Sequence, residues 1–526
     1  MLRASCASAL LAALLAAPSL AAPAGDEVLS LPGWPGALPS RTYSGFIDAG
    51  SDEQGGATYN VSMWYIAMEA EVADPSQAPV VLFSNGGPGA PSSFGLFTEF
   101  GPLMLSSESL ATDPPTLFRN PYAWTKLANV FILNGPAPVG YSYCLPAGPA
   151  GDFQSCGQWN DTRTNVFNTR FVQRFFAQAF PEWKQNPFYV TGESYAGVYT
   201  GMLVSSLLNA SDADPAAALN LRGLGLGDAC MGTDVLCGPR QGPWLPLLFS
   251  AGQGCISLAT FEAILAQCPM PALKSGPVSA LPADCQASIA AAGRECPGNA
   301  FYAYNYLDQC PPDPFSARGG DPAPPAQPSG YPCGVGGALT KWITNPAVKA
   351  ALHVAPDASY HSADNGVGFV YNLTWASNLP LLRRLQTGKD GVKVLIYNGE
   401  TDPSVSSVKS QAVSFGLGFP VKEAWRPWTF GSSGPEVVAG QIVQWEGNIS
   451  HATIRGSGHM VPTYSPFTRL PACSLCAPRA YTHPRPILAE PFSAYLMLEN
   501  FLMENSVWPS LPPSASSSIR MPGDKQ

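Results

Sequence analysis

Ser194 sits in the string Gly192-Glu-Ser-Tyr-Ala-Gly197, between the apolar run Phe188-Tyr-Val-Thr191 and a helical pattern from Tyr195 to Leu208. A serine hydroxyl is a weak nucleophile until a base takes its proton, and the base works best when a third group orients it. A G-x-S-x-G-like string between a strand and a helix suits a nucleophile: small residues, here Gly192 and Ala196, let the backbone turn sharply and lift the hydroxyl above the sheet. The same turn could be an ordinary junction with Ser194 as an N-cap, so the partners decide. Of the five His, His459 lies in Gly456-Ser-Gly-His-Met-Val-Pro462, a glycine-flanked loop that can aim an imidazole. His353, His361, His451 and His483 lack that setting and read as surface or internally satisfied rings. Asp402 follows the strand-like run Val392 to Tyr397 in Tyr397-Asn-Gly-Glu-Thr-Asp402, with Glu400 as the rival acid. Asn85-Gly-Gly-Pro-Gly89 also follows an apolar run. A glycine pair there can turn a backbone N–H toward a developing oxyanion, with a second N–H from Tyr195; taken alone, the string reads as a turn that needs Gly and Pro.

The elements that must carry these residues alternate between strand and helix patterns. Tyr59 to Met68 alternates; Pro79 to Phe83, Asn129 to Leu133 and Phe188 to Thr191 are short buried-strand runs. Val166, Phe167, Phe171, Phe175, Phe176 and Phe180 recur at helical spacing with Arg163, Arg170 and Arg174 between them, and Pro181 and Pro187 end the pattern. Later strands are expected at Val392 to Tyr397 and Ile449 to Arg455, and a closing helix at Pro486 to Met503. Such alternation indicates a mixed, mainly parallel α/β sheet, and the chain order Ser194, Asp402, His459 is that of the α/β-hydrolase fold. No internal repeat is evident.

Between the two strand-rich parts the character changes. Cys230, Cys237, Cys255, Cys268, Cys285, Cys296, Cys310 and Cys333 crowd a strand-poor stretch that contains the low-complexity run Pro311 to Pro328. It reads as a disulfide-stapled cap insertion at 227–346, dividing a core of 22–226 and 347–508. A tail at 509–526 reads as disordered. Arg3, the apolar run Ala9 to Ala17 and Ser19-Leu20-Ala21 make a signal peptide of residues 1–21. Thirteen cysteines occur; Cys6 leaves with the leader, so an even number remains, as a disulfide framework requires. Cys144 and Cys156 flank a loop. Cys473 and Cys476 form one CxxC without a second, which favours a local disulfide over zinc. Sequons at Asn60, Asn160, Asn209, Asn372 and Asn448 are expected to carry glycans in such a chain. A net charge of −9 and a pI of about 5.1, with no basic stripe, exclude nucleic acid as the natural partner, and no later apolar run is long enough to span a membrane. Oligomeric state is left open.

The set NGGPG, GESYAG, YNGETD and GSGHMVP, in this order, resembles the serine carboxypeptidase family. The resemblance begins at Leu31-Pro-Gly33 and Tyr43-Ser-Gly-Phe46 and continues through Ala137-Pro-Val-Gly-Tyr-Ser142 and Phe175 to Pro181. It implies removal of single residues from peptide or protein C-termini, without a cofactor or metal. By resemblance Ser194 is the nucleophile, His459 the base and then acid, Asp402 its orienting partner in preference to Glu400, and Gly87 and Tyr195 the oxyanion donors. Asn85, Glu99 and Glu193 match the family's group for the substrate's terminal carboxylate. No Arg lies in these motifs. Two carboxyl groups sharing one site would hold a proton between them, so binding of a carboxylate should favour acidic pH. The leader, the even cysteine count and the sequons lead to the expectation of a secretory-pathway protein, outside the cell or in a vacuolar or lysosomal lumen.

This chain departs from the family pattern at Ala90, where a bridging Cys is usual, at Phe83-Ser84 in place of Trp-Leu, and at Ala137-Pro138 in place of Ala-Gly. Two other readings compete with a peptidase. A plant branch of the same family transfers acyl groups; it resembles GDSYSG at the elbow, whereas Glu193 and Ala196 stand here. An inactive member acting as a chaperone or binding protein would have no need of an intact Ser194, Asp402 and His459.

Overall fold

Short apolar runs ending in Gly, Asn or Pro become strands buried on both faces, and these form the middle of one large sheet. The computed structural model describes residues 23–237, 241–297, 302–307, 335–363, 370–430, 437–463, 492–503 and 508. The expected leader, Pro311 to Pro328, Cys310, Cys333, Cys473, Cys476, His483 and the tail at 509–526 lie outside the described residues. Among those described, the sheet has twelve strands: β1 (Glu27–Val28), β2 (Thr42–Gln54), β3 (Ala57–Met68), β4 (Val80–Ser84), β5 (Asn129–Leu133), β6 (Tyr143–Leu145), β7 (Phe188–Glu193), β8 (Leu221–Gly227), β9 (Lys393–Gly399), β10 (Val421–Phe430), β11 (Val437–Trp445) and β12 (Ile449–Ile454). In space the order is β1-β2-β3-β5-β4-β7-β8-β9-β12-β11-β10, with β6 beside β3. Pairing is parallel from β5 through β12 and antiparallel on both flanks.

Alternation along the central strands divides the core into two layers. Val80 and Leu82 face one layer and Val81 and Phe83 the other; Val394 and Ile396 are set against Leu395 and Tyr397 in the same way. The first layer is closed by α1 (Asp161–Arg174) and α2 (Ala196–Ala213). Asn160 caps α1 by accepting from the Arg163 N–H at 2.9 Å, and its helical-spaced aromatics dock on the sheet, with Phe175 stacked on Phe131 at 4.0 Å. The second layer is an aromatic pack in which Phe83 lies 4.4 Å from Phe100 and 5.7 Å from Trp124. Phe83, one of the departures from the family pattern, is thus core.

Between β8 and β9 the chain builds α3 (Trp244–Gly252), α4 (Leu258–Gln267), α5 (Met270–Lys274) and α6 (Ala283–Glu295). They enclose a small apolar cluster of their own that includes Leu247, Ile264, Leu273 and Ala292. A cluster this small needs covalent help. Cys255–Cys296 and Cys268–Cys285 staple it, Cys230–Cys237 closes its root, and Cys144–Cys156 bridges a loop elsewhere. The following helix, α7 (Val335–Ile343), packs instead into the aromatic layer of the main core, where Trp342 lies 4.6 Å from Phe97 and its indole N–H donates to Pro32 O at 2.7 Å. Then come α8 (Leu379–Gln386), α9 (Ser407–Gly416) and α10 (Phe492–Leu502), the described part of the expected closing helix.

Candidate active site

The carboxyl ends of the parallel strands share one edge: Glu193 is level with Gly227, Gly227 with Tyr397, and Gly399 with Ile454. Neighbouring strands lie ~4.8 Å apart, so residues just past β7, β8, β9 and β12 converge above the sheet. Ser194 is the first residue beyond β7. It holds φ 58, a left-handed conformation that costs a non-glycine residue ~1–2 kcal/mol. Its backbone is pinned on both sides, by donation from its N–H to Gly227 O at 3.0 Å and by acceptance from Cys230 N at 2.9 Å. The tight turn explains the small residues. A Cβ on Gly192 would meet Ala196 O at 2.6 Å, and one on Gly197 would meet Cys230 O at 2.3 Å. From Phe188 to Val204 every residue is buried except Ser194. Tyr195, read from the sequence as the start of the helix, is instead the N-cap of α2, where leading N–H groups lack intrahelical acceptors.

His459 and Asp402 meet as the sequence order suggests. The imidazole Nδ1 lies 2.7 Å from Asp402 Oδ2. Asp402 is fully buried; its Oδ1 accepts from Ser404 N at 2.7 Å and its Oδ2 from Val405 N at 3.1 Å. Glu400 is exposed and accepts from Gly456 N at 3.3 Å, which makes it a brace for the His459 loop. The loop is held from above as well: His459 N donates to Tyr304 O at 2.7 Å, and the Tyr304 ring lies over the imidazole with centroids 5.0 Å apart. Gly458 permits this approach, since a Cβ there would meet Tyr304 O at 2.4 Å. The other described imidazoles are elsewhere: His353 Nδ1 lies 3.1 Å from Ser44 O, His361 Nε2 lies 2.9 Å from Gly151 O, and buried His451 joins Ser414 and Asn398. Burial holds the His451 ring neutral by pushing its pKa down to about 3.

The Asn85–Gly89 loop touches the Ser194 turn directly. A Cβ on Gly86 would meet Tyr195 N at 2.3 Å, and Gly87, at φ 104, turns the chain beside it. The loop that carries Gly87 is thus packed directly against the backbone N–H of Tyr195. Beneath lie Asn85, Glu99 and Glu193, all buried. Asn85 Nδ2 donates to Glu99 Oε1 and to Glu193 Oε1, both at 3.2 Å, while its Oδ1 accepts from Gly95 N at 2.9 Å. If both acids were ionised, Oε2 of each would be buried without a donor. A proton held between the two carboxyls supplies it. Burial pushes Glu99 up to about 7; burial and then the Glu99 charge push Glu193 well above the usual carboxyl range.

Sequence reasoning missed Asp228, which follows β8 and is fully buried. Its carboxylate, that of Asp402 and a His459 ring nitrogen all lie within 4.8 Å of one another. This triplet has the donor types of a metal site, but His459 Nδ1 is already committed to Asp402. The one signal in the sequence was a charged residue directly after the glycine-rich strand Leu221-Arg-Gly-Leu-Gly-Leu-Gly227.

Comparison with known proteins bears on the whole chain. The family model described as serine carboxypeptidase matches residues 32–473. Serine carboxypeptidase 1 of Hordeum vulgare is 29% identical over 500 residues, covering 85% of this chain and 91% of its own. The lysosomal protective protein of Mus musculus is 29% identical over 482 residues, with 85% and 92% covered. Among solved structures, a prohormone-processing carboxypeptidase from Saccharomyces cerevisiae superimposes with a TM-score of 0.62 at 17% identity, over 84% of this chain and 92% of that one, which supports the fold. A match that runs through the sheet, the inserted helices and the turns bearing Ser194, Asp402 and His459 makes this chain a member of the serine carboxypeptidase family, and a hydrolase.

Proposed function

We propose that the protein removes single residues from peptide and protein C-termini through an acyl-enzyme on Ser194, and that it does so best in acid. The supporting observation is the coexistence, at one sheet edge, of a base already oriented by a buried acid and a buried carboxyl pair that holds a proton. Ser194 Oγ attacks the scissile carbonyl while His459 Nε2 takes its proton; the N–H groups of Gly87 and Tyr195 face the oxyanion. His459 then gives that proton to the departing amino group, and water repeats the sequence on the ester. When substrate binds, Asn85 and the protonated carboxyl of the Glu99–Glu193 pair exchange hydrogen bonds they make to one another in the free enzyme for hydrogen bonds donated to the substrate's terminal carboxylate.

The chain works in the lumen of the secretory pathway or outside the cell. The four disulfides suit that compartment, and no described helix is long and apolar enough to cross a membrane. Asn60, Asn209, Asn372 and Asn448 are exposed, as glycan carriers must be; Asn160 is half-buried and uses its Oδ1 to cap α1. The test is a digest of free-acid peptides read by mass spectrometry. The expected result is a ladder that shortens from the C-terminus at acidic pH, lost in Ser194→Ala, whose rate falls by several powers of ten with its fold intact. Internal cleavage, or near-normal turnover in that variant, would refute the reading.

A further inference from the structure

Asp228 is a second buried acid at the Asp402–His459 pair, and the mechanism above gives it no work. It stands at φ 40 immediately beyond β8, with its N–H donating to Tyr397 O at 2.8 Å. Its Oδ1 accepts from Asn398 Nδ2 and from Gly399 N, each at 3.1 Å, and its Oδ2 lies 3.2 Å from Gly399 N. Asn398 is fixed in turn: His451 Nε2 lies 3.1 Å from its Oδ1, and the other His451 nitrogen lies 3.1 Å from Ser414 Oγ. A polar chain therefore runs from α9 through His451 and Asn398 to Asp228, whose carboxylate lies within 4.8 Å of that of Asp402 and of a His459 ring nitrogen.

The charges around Asp228 decide its state. Asp402 faces it from the β9 turn, and His459 from the loop after β12. Glu193, at the end of β7, and buried Tyr397 on β9 lie close enough that a negative charge on Asp228 would make each harder to ionise. Lys409 on α9 acts on Asp402 rather than on Asp228. Two buried carboxylates beside one neutral imidazole cannot easily both ionise. Asp402 holds the better position for the charge, with two backbone N–H donors and the His459 ring. Asp228 has only an amide and one backbone N–H. Burial first, then the Asp402 charge, push the Asp228 carboxyl well above its usual range.

We propose that Asp228 is a positioning residue that stays protonated and donates its carboxyl hydrogen to Asp402, fixing the carboxylate that orients His459. The proposal rests on the triad reading of the preceding section. Its consequence is a wider working window. A second anion beside His459 would hold the imidazole protonated in acid, where the Glu99–Glu193 pair must keep its own proton. With Asp228 neutral, His459 can act as a base at a pH where the carboxyl pair can still bind a carboxylate.

The experiment measures kcat and KM against pH for a free-acid peptide with the wild type, Asp228→Asn and Asp228→Ala. Asp228→Ala leaves Asp402 without that donor, and kcat falls about ten- to a hundredfold with KM little changed. Asp228→Asn keeps a donor of the same shape, so it recovers most of the loss and leaves the acidic limb of kcat where it lies in the wild type. If Asp228 were ionised in the working enzyme, Asp228→Asn would remove a buried charge and move that limb down by about one unit or more; this would overturn the proposal. So would a loss of kcat in Asp228→Asn equal to that of Asp228→Ala, or full activity in Asp228→Ala. Should Asp228→Ala fail to fold, the limb position in Asp228→Asn decides alone. A fluorophosphonate labelling Ser194 in the wild type separates the two readings: without that label the triad reading fails, whereas with it and a shifted limb only the role of Asp228 fails.

Discussion

Asp402 carries three hydrogen bonds on two oxygens, and only the one to His459 Nδ1 enters the proposed reaction. The two backbone donors lock the carboxylate in place, so the acid sets the tautomer and direction of the ring. Asp402→Asn should therefore keep the fold and the substrate site but present an amide to Nδ1, favouring the wrong tautomer. The expected outcome is a fall in kcat by about 10⁴ with KM within a few-fold, read from steady-state kinetics, and a nearly unchanged melting temperature. Glu400→Gln, two residues away, should lose little activity, because the Glu400 carboxylate braces Gly456 N and does not reach the imidazole. Equal losses in the two variants would show that the choice between these acids is wrong.

At the scale of elements, the site is made by two turns that interlock: the Asn85–Gly89 loop after β4 and the Ser194 turn after β7, on strands paired in register from Phe188 with Val80 to Gly192 with Ser84. Gly86 is the point of contact, with no room for a side chain against Tyr195 N. Gly86→Ala should push apart Gly87 and Tyr195, the proposed oxyanion donors, and lower kcat about 10²–10³-fold, with a smaller effect on KM; a variant with normal kcat would show that the oxyanion is held elsewhere. These turns were legible in the sequence because each couples a buried apolar run to residues of strict steric need. The strand runs, the Ser194 turn, Asp402 and His459 all announce themselves locally. Asp228 did not, since its meaning depends on β8 lying beside β9, a pairing between residues 221–227 and 393–399 that no local pattern carries. Tyr304 was missed for the same reason: it lies within the inserted segment and acquires its place over His459 only through the fold. The start of α2 was read one residue early because Tyr195 has helical backbone angles yet serves as the cap.

Taken whole, the molecule buries acids that keep protons and a histidine that refuses one, and its stability should depend on pH from both sides. Glu99 is raised from an ordinary 4.5 to about 7, so its contribution to stability is complete below about pH 4.5 and is lost as pH climbs toward 7. Glu193 and Asp228 are shifted in the same direction. His451 is lowered from 6.5 to about 3, so its contribution is complete above about pH 6.5 and is lost as pH falls toward 3. Between pH 5 and 7 the melting temperature of Glu99→Gln should decline less than that of the wild type, because the amide cannot ionise; parallel curves would show that Glu99 is already charged across that range.

The same proton carries the account of substrate recognition, and one measurement reaches it most directly: KM against pH for a matched peptide acid and peptide amide, in the wild type and in Glu193→Gln. The account predicts that the wild-type KM for the acid climbs as pH rises out of the acid range and the carboxyl pair gives up the proton that burial and the Glu99 charge hold on Glu193, while the KM for the amide does not. In Glu193→Gln the climb for the acid should largely vanish, since Gln still donates but cannot ionise. A Glu193→Gln profile that keeps the wild-type climb would contradict the claim that this buried pair holds the substrate's terminal carboxylate.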